Sequence, residues 1–182
     1  MRAVPFALFL FVAAAPVNAD QSAGRAEVWL HRPLEALISK PETELAPFTT
    51  DGCSGGMSAI WERVAEFVPE FAHRSGQLPP WENCCVTHDR AYHNAGGAKT
   101  AEDSASARVA ADEALRSCVA SVSGPEAEQM ISGYDMTEEE ADLAFKVIGD
   151  AMYRAVRLGG VPCSGLPWRW GYGYPECQWL GD

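Results

Sequence analysis

Hydrophobic positions recur at helical spacing along most of the chain. Over residues 26–40 (AEVWLHRPLEALISK) an amphipathic pattern is interrupted at Pro33 and closed by Pro41, which predicts a short helix and a linker without chemistry of its own. Residues 51–57 (DGCSGGM) read as a glycine-rich turn. Beyond it, Ile60, Trp61, Val64 and Val68 share one side of a helix predicted over 58–68, with Pro69 as its stop and loop over 73–80. Pro80 suits the first helical position, where its missing N–H would be unpaired anyway, and the helix it opens should run to about Asn94 and stop at Gly96-Gly97. Thr100, with Asp103 three residues on, caps a further helix that ends before Gly124-Pro125. A short connection follows. Thr137 and Glu140 then form a capping box for a long helix to Leu158, closed by Gly159-Gly160, with Ala144, Val147, Ile148, Ala151, Met152 and Ala155 as its core stripe. From Val161 the chain is loop, rich in Trp, Tyr, Gly and Pro. The pattern predicts a mainly α fold around an antiparallel helical hairpin.

Composition narrows what such a fold can be. With 182 residues, 47% hydrophobic and 21% charged, the chain fits one globular domain. No run of about 20 apolar residues could span a bilayer. A net charge of −11 argues against a general nucleic-acid binder, which needs a basic face for phosphates, and against tight docking on anionic lipid unless a cation intervenes. Residues 1–19 have the form of a signal peptide, with Arg2, the apolar run AVPFALFLFV and a small-residue cleavage site before Asp20; an uncleaved anchor is the alternative, for which the segment is short. The mature domain would be 20–182, exported to the exterior or to a periplasm.

Export changes the meaning of the six cysteines, at 53, 84, 85, 118, 163 and 177. In an oxidising compartment they imply three bridges, with fifteen possible pairings. A zinc site on Cys84, Cys85 and His88 is the competing reading, but no CxxC or HxxxH pair supports it. The segment 81–92, WENCCVTHDRAY, organises the problem. On a helix Cys84, His88 and Tyr92 share one face, while Cys85 and Asp89 share the next. Adjacent cysteines that diverge must each reach a different part of the chain. In an antiparallel hairpin turning near residue 100, one register sets Cys84 opposite Cys118 and His88 opposite Asp112. That register would leave Cys85 for Cys53 and, by elimination, Cys163 for Cys177.

A Cys53–Cys85 bond would hold the glycine-rich turn one helical turn from Asp89. Asp89 with the carbonyls of Gly52, Ser54 and Gly56 makes an all-oxygen donor set for a hard cation. An imidazole held by a buried carboxylate can take a proton from water, and a neighbouring calcium ion can stabilise an ester oxyanion. A lone histidine would be read as a core residue; His88 with Cys84, Cys85, Asp89, Tyr92 and Asp112 is a set.

These residues resemble the secreted phospholipase A2 family. The family's Cys-Cys-x-x-His-Asp-x-x-Tyr helix stands here as Cys84 to Tyr92, its Asp-x5-Cys helix as Asp112 and Cys118, and its calcium loop is similar to Gly52-Cys53-Ser54-Gly55-Gly56. The resemblance covers residues 51–118. It implies a disulfide-linked antiparallel helical hairpin of the phospholipase A2 type with additional helices. It further implies calcium-dependent hydrolysis of the sn-2 acyl ester of glycerophospholipids presented by an aggregate or membrane surface. By resemblance His88 is the base, Asp112 its orienting partner, Tyr92 a donor to Asp112, and Asp89, Gly52, Ser54 and Gly56 hold Ca2+. No protein partner is implied.

The chain also departs from the family. Ala91 and Ala111 stand where a second interhelical disulfide is common, residues 57–80 are an insertion, and Gly96–Lys99 leaves no room for the family's β-wing. The insertion and the lost β-wing favour a rival, a catalytically silent binding or structural module. Hydrolysis of other acyl esters is a third reading. The aromatic tail (Trp168, Trp170, Tyr172, Tyr174, Trp179) suits either a lipid interface or channel rim, or a cap folded onto the helices; His93 reads as a surface residue.

Overall fold

A computed structural model describes residues 19–53 and 57–177. The segment read as a signal peptide, apart from Ala19, lies outside the described residues, as do Ser54, Gly56 and Trp179. The described chain is helical, in the order α1 (Ala19–Ile38), α2 (Met57–Phe67), α3 (Pro69–Ser75), α4 (Glu82–His93), α5 (Ala101–Ala120), α6 (Pro125–Gly133) and α7 (Glu138–Gly159), with a single 3-10 turn at Ala95–Gly97. No strand occurs among the described residues, and none of their helices is long and apolar enough to cross a membrane.

Helix α5 is the hub, contacted by α1, α4 and α7. Its Ala- and Ser-rich sequence gives three helices close access. At the α5–α7 seam the helices approach closely at Gly149, where a β-carbon would stand 2.7 Å from the Arg116 carbonyl oxygen. Helices α4 and α5 run antiparallel, because the start of α4 meets the end of α5 at Cys84–Cys118 while Tyr92 reaches back to Asp112. The caps behave as read: the Asp103 amide donates to Thr100 Oγ1, and Thr137 and Glu140 form a reciprocal capping box.

One core gathers Trp81, Leu115, Val119, Ala141 and Phe145 around Cys84 and Cys85; a second gathers Leu34, Tyr92, Ala95 and Trp170 around Cys163 and Cys177. The bridges are Cys53–Cys85, Cys84–Cys118 and Cys163–Cys177, with no free cysteine among the described residues. Three disulfides fit an oxidising, exported environment.

Helix α1 does not break at Pro33 but continues to Ile38. An interior proline costs about 3 kcal/mol, and burial of His31 and Leu34 against α5 and Trp170 offsets it. Helix α4 opens at Glu82 rather than Pro80. On α7 the buried stripe is Ala141, Phe145 and Gly149, flanked by Ile148, Met152 and Val156, whereas Val147 is 58% exposed. Among the described side chains of α2, Trp61 and Ala65 face inward, while Ile60 and Val64, and Val68 just beyond the helix, are exposed where no described element covers them. Residues 69–75 and 125–133, read as a proline stop running into loop and as a short connection, are helices α3 and α6, each with proline in its first turn and a glutamate after it.

Candidate active site

Helix α4 delivers the site because its four-residue spacing sends Cys84, His88 and Tyr92 toward α5 while Cys85 and Asp89 turn toward residues 50–53. His88 Nε2 lies 2.9 Å from Asp112 Oδ1. A carboxylate can only accept, so Nε2 carries a proton, and in the neutral imidazole Nδ1 keeps its lone pair. Nδ1 faces the Asp89 carboxylate at 3.9 Å, beyond hydrogen-bond range but well within electrostatic reach. His88 is buried, which opposes its protonation; its bond to Asp112 and the nearby Asp89 outweigh that, and its pKa is raised.

Asp112 is fully buried and holds three donors. The Tyr92 hydroxyl donates to Oδ1 at 2.8 Å alongside His88, and Arg157 donates to Oδ2 at 2.9 Å. Burial and the Asp112 charge push the Tyr92 pKa up, although Arg108 opposes them, so the phenol stays a neutral donor. Behind Asp112 the charges continue. Arg157 also pairs with Glu27 at 2.8 Å, and Glu27 accepts from the fully buried Arg108. Arg108 in turn donates to the Val156 and Arg157 carbonyls at the end of α7. Glu27 feels burial first, which raises its pKa; the hydrogen bond with His31 and the charges of Arg108 and Arg157 more than reverse this and hold it at about 2. The sequence reading missed Glu27, Arg108 and Arg157.

On the other side of α4, the Cys53–Cys85 bond draws residues 50–53 onto the helix. The Thr50 hydroxyl donates to Asp89 Oδ2 at 2.6 Å and accepts from the Gly52 amide at 3.0 Å, so a single hydroxyl joins the turn to the carboxylate. Asp89 is 5% exposed and borders a cleft of about 270 Å³ walled by Thr49, Thr50, Asp51, Pro167, Trp168 and Tyr172. The structure thus brings His88, Tyr92 and Asp112 together, with Asp89 and Gly52 alongside; Ser54 and Gly56 lie outside the described residues.

The tail completes the end of α4. The Gly171 amide donates to the Tyr92 carbonyl at 2.7 Å and the Gly173 amide to the His93 carbonyl at 3.0 Å, which satisfies carbonyls that a helix end leaves without partners. Trp170 is fully buried, and its indole N–H donates to Ser104 Oγ, which bonds His31 Nδ1. Trp170 is therefore part of a cap folded onto the helices, while Trp168 and Tyr172 wall the cleft beside Asp89. His93 is not a surface residue: it is buried edge-on between Phe48 and Tyr172, because the tail covers that side of α4. No family model, curated protein or solved structure matches the chain.

Proposed function

We propose that the chain is an exported, calcium-dependent hydrolase of the sn-2 acyl ester of glycerophospholipids, on a helical hairpin of the phospholipase A2 type. The observation that carries this reading is the His88–Asp112 bond through Nε2, which leaves Nδ1 as a base on the side where Asp89 borders the cleft. His88 Nδ1 takes the proton of an attacking water; Asp112 keeps the imidazole in one tautomer and balances the charge it gains. Tyr92, neutral and buried, secures the same carboxylate oxygen.

The donor set beside His88 fits a hard cation. Asp89 is a buried carboxylate at the edge of a cleft that also holds Asp51 and Thr50, and Gly52 is tied to it through Thr50. Asp89 and the carbonyls of Gly52, Ser54 and Gly56 would hold Ca2+, which supplies polarisation of the ester carbonyl and charge for the oxyanion. This set pairs one carboxylate with backbone oxygens; no cluster of three His, Cys, Asp or Glu side chains is arranged for a metal among the described residues. The substrate would be presented by a phospholipid aggregate or membrane surface.

The rival is a silent binding or structural module on the same scaffold. It draws on the insertion, where α2 exposes Ile60 and Phe67 at 64% and 71%. Phospholipids carrying different labelled acyl chains at sn-1 and sn-2, in mixed micelles with calcium or chelator, separate the two. The hydrolase releases the sn-2 acid alone and only with calcium; release of neither chain would leave the module.

A further inference from the structure

The two oxygens of Asp112 are used differently. Oδ1 serves the site through His88 at 2.9 Å and Tyr92 at 2.8 Å, whereas Oδ2 accepts only from Arg157 among the hydrogen bonds of the described residues, at 2.9 Å. The second terminal nitrogen of Arg157 meets Glu27 Oε2 at 2.8 Å. Glu27 Oε1 accepts from Arg108, and Arg108 Nε donates to the Tyr92 hydroxyl at 3.3 Å. Asp112, Arg157, Glu27, Arg108 and Tyr92 thus close a ring drawn from α1, α4, α5 and α7. Two carboxylates and two guanidiniums make it neutral, which suits a ring whose Asp112 and Arg108 are fully buried, where an unpaired ion is costly.

A carboxylate bonded through one oxygen can still turn about its own axis; bonded through both, its plane is set. The planar guanidinium fork spans two carboxylates at once, which a lysine ammonium on one flexible stem does not. We infer that Arg157 is a positioning residue: by gripping Asp112 Oδ2 and bracing itself on Glu27, it fixes the plane of Asp112 so that Oδ1 holds His88 in the Nε2–H tautomer with Nδ1 turned toward Asp89. Its catalytic consequence rests on the hydrolase reading of His88; the tautomer itself does not.

The test uses the oxidised full chain and its Arg157→Gln and Arg157→Lys variants. Two readouts are taken, steady-state release of fatty acid from mixed micelles and the side-chain 15N and N–H resonances of His88, assigned with His88→Gln. Arg157→Gln should lower kcat about 10–100-fold with KM within about twofold, the size typical of losing a group that orients a site residue. It should also weaken or shift the His88 Nε2–H resonance. Arg157→Lys, which can reach one carboxylate, should fall between. Wild-type kcat and an unchanged resonance in Arg157→Gln would overturn the inference. If Arg157→Gln does not fold, Arg157→Lys decides, since an unchanged resonance and kcat there would equally overturn it. If the parent chain releases no fatty acid, the hydrolase reading falls, while the His88 resonance still reports whether Arg157 holds the tautomer.

Discussion

Gly160 lies so close to Tyr92 that a β-carbon placed on it would stand 2.6 Å from the phenolic oxygen. The tail enters over α4 at this point, with the Trp170 amide donating to the Gly160 carbonyl and the Gly171 amide to that of Tyr92. Tyr92 is therefore held from two sides, by Asp112 at its hydroxyl and by the tail along its ring, with Trp170 edge-on at 4.9 Å.

Gly160→Ala follows directly. The added methyl meets the Tyr92 ring and the Val156 carbonyl, both 2.6–2.7 Å away, and backbone cannot yield as a flexible side chain can. Overpacking of this kind costs about 1–3 kcal/mol. The expected outcome is a lower denaturant midpoint at unchanged m-value, and activity reduced beyond the loss of folded protein because Tyr92 is displaced from Asp112. Urea unfolding monitored by far-UV circular dichroism, beside a rate assay, checks both.

Acid should attack the ring through Glu27. Its carboxyl sits at about 2 in the folded chain against 4.5 for the ordinary group. A depressed folded pKa means that the unfolded chain binds the proton first. The contribution is therefore complete above about pH 4.5 and is lost as pH falls toward 2. A shift of that size corresponds to roughly 3 kcal/mol as an upper bound, since solvent screens a half-buried carboxylate. Glu27→Gln should lower stability at neutral pH and flatten the acid limb between pH 4.5 and 2. Unfolding free energies measured across that window would show the two slopes.

Calcium should be visible from the cleft itself. Trp168 and Asp89 border the same space, so an ion held at Asp89 changes the surroundings of an indole. Intrinsic tryptophan fluorescence should titrate with calcium in the parent chain and lose the response in Asp89→Ala. A silent module need not respond in either.

The readable parts of the sequence were those that short-range geometry decides. Helical spacing placed Cys84, His88 and Tyr92 on one face, and the turn near residue 100 set the register that brings Cys84 to Cys118 and His88 to Asp112. Caps at Thr100 and Thr137 were equally local. Arg157 and Glu27 were not legible in this way. Arg157 reaches Asp112 across 45 positions and Arg108 reaches Glu27 across 81, and no period or spacing links such pairs before the helices are packed. Thr50 carried a weak signal, a hydroxyl residue just before the glycine-rich turn. Helices α3 and α6 carried a stronger one, a proline followed by glutamate, the composition of a first helical turn. His93 was misread because only the tail, far along the chain, buries it, and the apolar side of α2 because nothing described covers Ile60 and Val64.

The most direct test of the central claim is fatty-acid release from phospholipid mixed micelles by the oxidised chain and by His88→Gln, each with calcium and with chelator. The account predicts release by the parent chain only with calcium, and its loss by several orders of magnitude in His88→Gln, because glutamine offers no basic lone pair at the Nδ1 position. Release that survives in His88→Gln, or no release by a correctly bridged parent chain with calcium, would contradict it.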